Sequence, residues 1–165
     1  MAYILREAEA LSLSFRPAEP ADDSFLLELY ASAHGRELQL LPMPAAQLTA
    51  LLNMQFQAQR QFYKAQYPNS ERLLILIDGD PVGHLWLAAG PDEWRILDIA
   101  LLPEYRRRRI GTAVLNDVIE KARESEKPLR LSVQQTNPHA LRLYRHLGFK
   151  EISGSGASTE MEFPR

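Results

Sequence analysis

No cysteine occurs in the chain, which excludes disulfides, thiolate metal sites and any acyl intermediate held on a protein sulfur. Long apolar runs are missing as well. None approaches the roughly 18 residues of a membrane span, and Met1 to Glu9 has no apolar core behind a basic start, so neither a spanning helix nor a secretory leader is expected. Excess charge of either sign is also absent. With 19 basic and 21 acidic residues the net charge is −2, which gives no general attraction to nucleic acid or to an anionic membrane. Any basic function has to be local, and a cytoplasmic protein with neither of those partners is the expectation.

What remains is an apolar fraction of 45% in 165 residues, enough to bury one core, so residues 1–165 are expected to form a single domain. Leu11 to Phe15 alternates as a half-buried strand does, and Arg16-Pro17 ends it. Asp22 and Asp23 suit the first turn of a helix carrying Phe25, Leu26, Leu29, Tyr30 and Ala33 inward and stopping near Gly35. After the prolyl stretch Leu40 to Pro44, the stripe Leu48, Leu51, Leu52, Gln55, Phe56, Gln59, Phe62 and Tyr63 predicts a long amphipathic helix that ends before Pro68.

Asp78-Gly79 between Leu73–Ile77 and Val82–Ala88 is a hairpin signal, and Arg95 to Leu102 forms the next strand, ended by Pro103. A helix then carries Ala113, Val114, Val118, Ile119 and Ala122 inward, followed by a strand over Leu129–Val133. Asn137, Pro138 and Gly148 provide cap, first turn and exit of a short helix. Phe149–Ile152 and Thr159–Phe163 pair around Gly154-Ser155-Gly156. The resulting order, β-α-α-β-β-β-α-β-α-β-β, predicts an α/β (α+β) fold: a mixed, mostly antiparallel sheet of about seven strands with about four helices.

One segment carries chemistry on its face. A strand ends at Pro103, Arg106 to Arg109 follow, and Gly111-Thr112-Ala113 opens a helix. Unpaired amides at a helix start, small residues and arginines together suit an anion such as phosphate, although the same run also suits a solvated basic stretch before an ordinary helix.

Arg108-Arg109-Ile110-Gly111-Thr112-Ala113 resembles the R/Q-x-x-G-x-G/A signature of the GNAT acetyltransferases, and Ile99 to Arg106 resembles the strand that leads into it. Asn137 to Phe149 is similar to the same family's N-x-x-A-x-x-L-Y-x-x-x-G-F segment, at the expected distance downstream. The close resemblance covers about a third of the chain, Ile96 to Phe149. It implies the GNAT fold and acetyl-CoA as cosubstrate; the spacing of the four histidines separately predicts no metal. Ile99, Ala100 and Leu101 would meet the pantetheine arm as an added strand does. Arg106, Arg107, Arg108, Arg109, Ile110, Gly111, Thr112 and Ala113 would hold the pyrophosphate, and Asn137 and Tyr144 would reach the arm from elsewhere. Many relatives carry glycine where this chain has Arg107 and Arg109, so the loop is expected to form without positive φ at those two positions.

The implied reaction joins a neutral amine to a thioester carbonyl and returns a proton to the departing thiolate. Tyr144 suits the acid, since a phenol of pKa about 10 lies not far above a thiol of about 8.5; read singly, it would also be a core aromatic, and Asn137 a plain N-cap. For the base, Asp98 leads because it interrupts an apolar strand beside Ile99, while pairing with an arginine would equally explain it; Glu93 and a water relay stay open. His34, His84, His139 and His146 show no metal-ligand spacing, and His84, within a strand, reads as a hydrogen-bonded structural residue. Leu40 to Pro44 would form a lip of the acceptor pocket.

Two other readings compete. A non-catalytic acyl-CoA sensor would use the same loop without turnover. A nucleic-acid patch at Arg106–Arg109 lacks both interleaved aromatics and a basic balance. The acceptor is an amine of a small molecule or a protein, and a homodimer through sheet edges or the C-terminal hairpin is open, with no residue that specifies it.

Overall fold

Asp78 at φ 50° and Gly79 at φ 86° reverse the chain between two apolar strands, as their pairing in sequence predicts. The structure is a computed structural model describing residues 3–4 and 12–164. In chain order its elements are β1 (Tyr3–Ile4), β2 (Ser12–Pro17), α1 (Asp23–Leu38), α2 (Ala45–Gln66), β3 (Glu71–Ile77), β4 (Asp80–Ala89), β5 (Trp94–Leu101), α3 (Ile110–Glu124), β6 (Leu129–Gln134), α4 (Pro138–Leu147), β7 (Lys150–Ser155) and β8 (Ser158–Phe163).

The expected order of helices and strands is met, with β1 as an addition: it pairs Tyr3 with Leu13, and two residues are too few for periodicity to reveal. Leu11 and most of Met1 to Glu9 lie outside the described residues. The registered pairs are antiparallel except β5 with β6, which is parallel, so the sheet is mixed as expected. The chain divides into two compact units. One holds the described residues up to Trp86 with Asp98–Arg106, the other Leu87–Leu97 with residues 107 to 164.

In the first unit, Leu26 of α1, Phe56 of α2 and Leu74 and Leu76 of β3 form one buried cluster. Alternation along β3 sends Ile75 and Ile77 to the opposite face, where they are buried too, so the strand reads as a continuous apolar run. Two details depart from the sequence reading. Helix α1 runs through Gly35 to Leu38, because one glycine costs only about 1 kcal/mol and Arg36, Glu37 and Leu38 are adequate helix formers. Of the long stripe on α2 only Phe56 is fully buried, while Phe62 is 59% exposed and Tyr63 packs edge-on against Trp86.

In the second unit, α3 buries Val114, Leu115, Val118, Ile119 and Ala122. Helix α4 is punctuated as its sequence implies: the Asn137 side chain accepts from the Ala140 N–H at 3.1 Å, and Gly148 exits at φ 105°. Strand β7 runs through Gly154 and Ser155, which moves the expected turn to Gly156 and Ala157.

Candidate active site

Three neighbouring strands of the first unit each present one polar side chain on the same face: Arg72 from β3, His84 from β4 and Asp98 from β5. Arg72 Nε donates to His84 Nδ1 at 3.0 Å. That nitrogen therefore carries no proton, and Nε2 holds the ring hydrogen that is donated to Asp98 Oδ2 at 2.8 Å. His84 is only 2% exposed, whereas the Asp98 side chain keeps 27% of its surface accessible. Burial pushes the Asp98 carboxyl up, but the His84 hydrogen bond and the fields of His84, His34 and Arg72 outweigh it. The net result holds Asp98 below the usual carboxylate range, so it is ionised at neutral pH. Burial, followed by the Asp98 charge, pushes the nearby Tyr30 phenol up.

Beyond β5, a single 3-10 turn over Pro103–Tyr105 leads into the arginine run. Arg106 is engaged locally, its Nε donating to the Leu101 carbonyl at 3.0 Å. Arg107 and Arg109 both adopt positive φ, 59° and 61°, which corrects the expectation that the loop avoids this conformation there. Left-handed backbone at a residue with a Cβ costs about 1 kcal/mol or somewhat more, and both side chains are exposed.

The left-handed Arg109 is the N-cap of α3. Of the four leading amides of that helix, Ala113 N–H bonds the Arg109 carbonyl, while those of Ile110, Gly111 and Thr112 have no partner among the described residues. Three open amides at the positive end of a fifteen-residue helix fit an anionic phosphate, and the half-buried Gly111 and Thr112 leave room for its approach.

The registered pairing of β5 with β6 is confined to Trp94–Ile96 against Leu129–Leu131, so Ile99, Ala100 and Leu101 lie beyond it. On the β4 side their fit is tight. A Cβ at Gly83 would stand 2.3 Å from the Ala100 carbonyl oxygen and 2.7 Å from a Leu101 methyl, so only glycine permits this approach.

The sequence profile of the Acetyltransferase (GNAT) family matches residues 36–149. This chain belongs to the GNAT acetyltransferase family. Among curated proteins, the N-alpha-acetyltransferase of Sulfurisphaera tokodaii is 32% identical over 90 residues, 46% of this chain and 54% of that protein. The chain spans about half the length of the curated relatives it matches. The fold is shared with the PaiA N-acetyltransferase of Thermoplasma acidophilum, solved in complex with coenzyme A, at TM-score 0.71 and 18% identity, covering 93% of this chain and 99% of that one. It is shared likewise with the ribosomal-protein-S18-alanine N-acetyltransferase of Escherichia coli, at TM-score 0.66 and 20% identity over 92% and 93% of the two chains.

Within this GNAT chain, Asp98 to Arg106 belong to the first unit, and Arg107 to Ala113, Asn137 and Tyr144 to the second. Tyr144 is buried on α4 with its ring edge-on to Phe149 at 5.6 Å. Glu93, the other carboxylate considered as a base, is ion-paired to Arg95 at 3.2 Å and Arg130 at 2.8 Å. Sequence reasoning missed Arg72 as the residue that orients His84, and it missed Gly83. The lone glycine within an apolar strand was a readable signal for the latter; nothing in sequence announced the former, whose partner is twelve residues away across a hairpin. In the first unit, Leu38, Leu48 and Leu52 line a cavity of about 290 Å³ between α1 and α2, and the connecting Leu40, Leu41 and Met43 are exposed. No helix among the described residues is long and apolar enough to cross a membrane.

Proposed function

We propose that this protein is an N-acetyltransferase that moves an acetyl group from acetyl-CoA directly to a primary amine. The observation carrying this reading is the set of open Ile110, Gly111 and Thr112 amides at the start of α3, within the segment that matches the family signature. These amides would hold the pyrophosphate, with Arg107, Arg108 and Arg109 supplying charge and Arg106 tied to Leu101. The backbone of Ile99 to Leu101 would bind the pantetheine arm, and Asn137 would contribute its side-chain amide.

Bound acetyl-CoA supplies the thioester carbonyl. The ionised Asp98 would draw the cationic acceptor in; after that ammonium has released one proton to solvent, its neutral nitrogen would attack and, becoming acidic as it does so, pass a second proton to Asp98. The C–N bond forms, the C–S bond breaks, and Tyr144 Oη would protonate the leaving thiolate. Absence of cysteine supports direct transfer. The exposed Leu40 to Pro44 segment and the cavity beside it would wall the acceptor. A cytoplasmic location and the absence of metal, nucleic-acid and membrane partners complete the reading.

The relative from Sulfurisphaera tokodaii is an N-alpha-acetyltransferase, so peptides with a free α-amine head the acceptor panel. Calorimetric titration with acetyl-CoA and CoA, followed by thiol release across α-amine peptides, lysine peptides, polyamines and aminoglycosides, tests the reading. Binding with release for one amine class is expected. Binding without release on any amine would favour a sensor, and no binding would overturn the proposal.

A further inference from the structure

The first unit contains a second cavity, of about 450 Å³, at the start of α1, the last turns of α2 and the beginning of β3. Its position separates it from the acyl segment. Leu102 N–H bonds the Val82 carbonyl, marking the end of β4 near Ile99 to Leu101, whereas Trp86 of the cavity wall lies four residues further along β4. That spacing corresponds to about 13 Å.

Three cations line this cavity: Arg60, Lys64 and Arg72. Arg60 is paired with Asp23 at 3.0 Å, and Glu19 also lies on the wall. Arg72 has no carboxylate within ion-pair distance among the described residues. Its Nε is used by His84, its guanidinium carbon sits 4.6 Å from the centre of the Trp86 ring, and its two terminal nitrogens have no hydrogen-bond partner among the described residues. Burial, reinforced by the repulsion of Arg60 and opposed by Asp98 and Asp23, pushes Arg72 down to about 10. A cation stacked on an aromatic ring, short of hydrogen-bond acceptors and repelled by its neighbour is in a setting that an anion would relieve. Ser70 also lines the cavity, its hydroxyl accepting the Trp86 indole N–H at 2.9 Å, and the remaining wall is largely apolar, with Leu26, Tyr67 and Trp86 prominent; the volume is of small-molecule size.

We propose that this cavity binds a small organic carboxylate, gripped by the terminal nitrogens of Arg72, approached from the rim by Lys64, and covered along its apolar body by Trp86 and Tyr67. The planar guanidinium matches a carboxylate edge to edge, two N–H groups against two oxygens. A bare phosphate would leave the apolar wall wet, so the site commits to an anion carried on a flat or apolar body. The inference does not depend on the acetyl-transfer reading.

The chain has two tryptophans, so Trp94→Phe leaves Trp86 as the only indole reporter in the full-length protein. Its fluorescence would be followed during titration with phenylacetate, with the neutral isostere phenylacetamide, and with inorganic phosphate. Expected are a saturable change with phenylacetate, binding of the amide and of phosphate about tenfold weaker or more, and weakening by Lys64→Ala and more severely by Arg72→Gln. The phenylacetate affinity should be unaltered by saturating CoA. Equal binding of acid and amide, phosphate binding as tight as phenylacetate, displacement by CoA, indifference to Lys64→Ala in the folded variant, or no saturable change would each overturn the proposal.

Discussion

His84 donates its single ring hydrogen to Asp98 across 2.8 Å, and Arg72, bonded to the opposite ring nitrogen, fixes which nitrogen carries that hydrogen. Asp98 is thereby held in its ionised form despite its partial burial. Because its folded-state pKa is depressed, the ionised population falls only when pH drops through that depressed value. Removing the donor with His84→Leu should move the acid limb of the kcat/KM profile to higher pH, with His84→Gln moving it less. An unchanged profile in both His84→Leu and Asp98→Asn would remove Asp98 as the base.

Tyr144 is buried against Phe149, so its replacement by phenylalanine keeps the packing and deletes only the hydroxyl. Turnover should fall about a hundredfold, the usual scale for loss of a general acid. The CoA affinity measured by calorimetry should stay within about twofold. Equal loss of both would make Tyr144 structural.

At the open amides of α3 the reverse split is expected. Gly111→Phe places a ring where a phosphate would approach, and CoA binding should weaken about tenfold or more. Circular dichroism should report an intact helix; unchanged CoA affinity would mean that the anion lies elsewhere.

Gly83 faces the Ala100 carbonyl so closely that Gly83→Val must push β5 away. Overpacking of this kind costs about 1–3 kcal/mol, readable as a lower urea midpoint. If acyl-CoA binding uses the Ile99–Leu101 backbone, its affinity should fall in the same variant even under conditions where the protein remains folded.

Arg16 holds Asp22 at about 2, first through their hydrogen bonds, with a further bond from the Glu19 amide. A carboxyl whose folded pKa is depressed stabilises the fold above its unfolded value of about 4 and loses that contribution as pH falls through about 2. Arg16→Gln should therefore lower Tm at neutral pH and converge with the parent protein near the acid end of the range. A constant Tm difference from neutral pH to the acid end would contradict the linkage.

Helix order, strand order and the open helix start behind the arginines were legible because each rests on local rules. Asp78-Gly79 had to turn, Asn137 and Gly148 had to bracket α4, and Gly111 followed arginines at a helix start. Strand β1 was too short to carry a period. Positive φ at Arg107 and Arg109 ran against the residue preference, since a loop closed at both ends sets its own torsions and overrides a penalty of about 1 kcal/mol at a single residue.

The residues of the chain by themselves determined what could be made and where the chemistry-bearing groups stood along it: an open helix start after arginines, a carboxylate in an apolar strand, a tyrosine one turn before a capped helix end. Only the tertiary structure decided that Arg72, His84 and Asp98 form one hydrogen-bonded line, because pairing of strands joins residues twelve and fourteen positions apart, a distance over which no sequence period reaches. It likewise gathered Arg60, Lys64 and Arg72 around one cavity, since charge placement in space follows from helix and strand packing rather than from the spacing of letters.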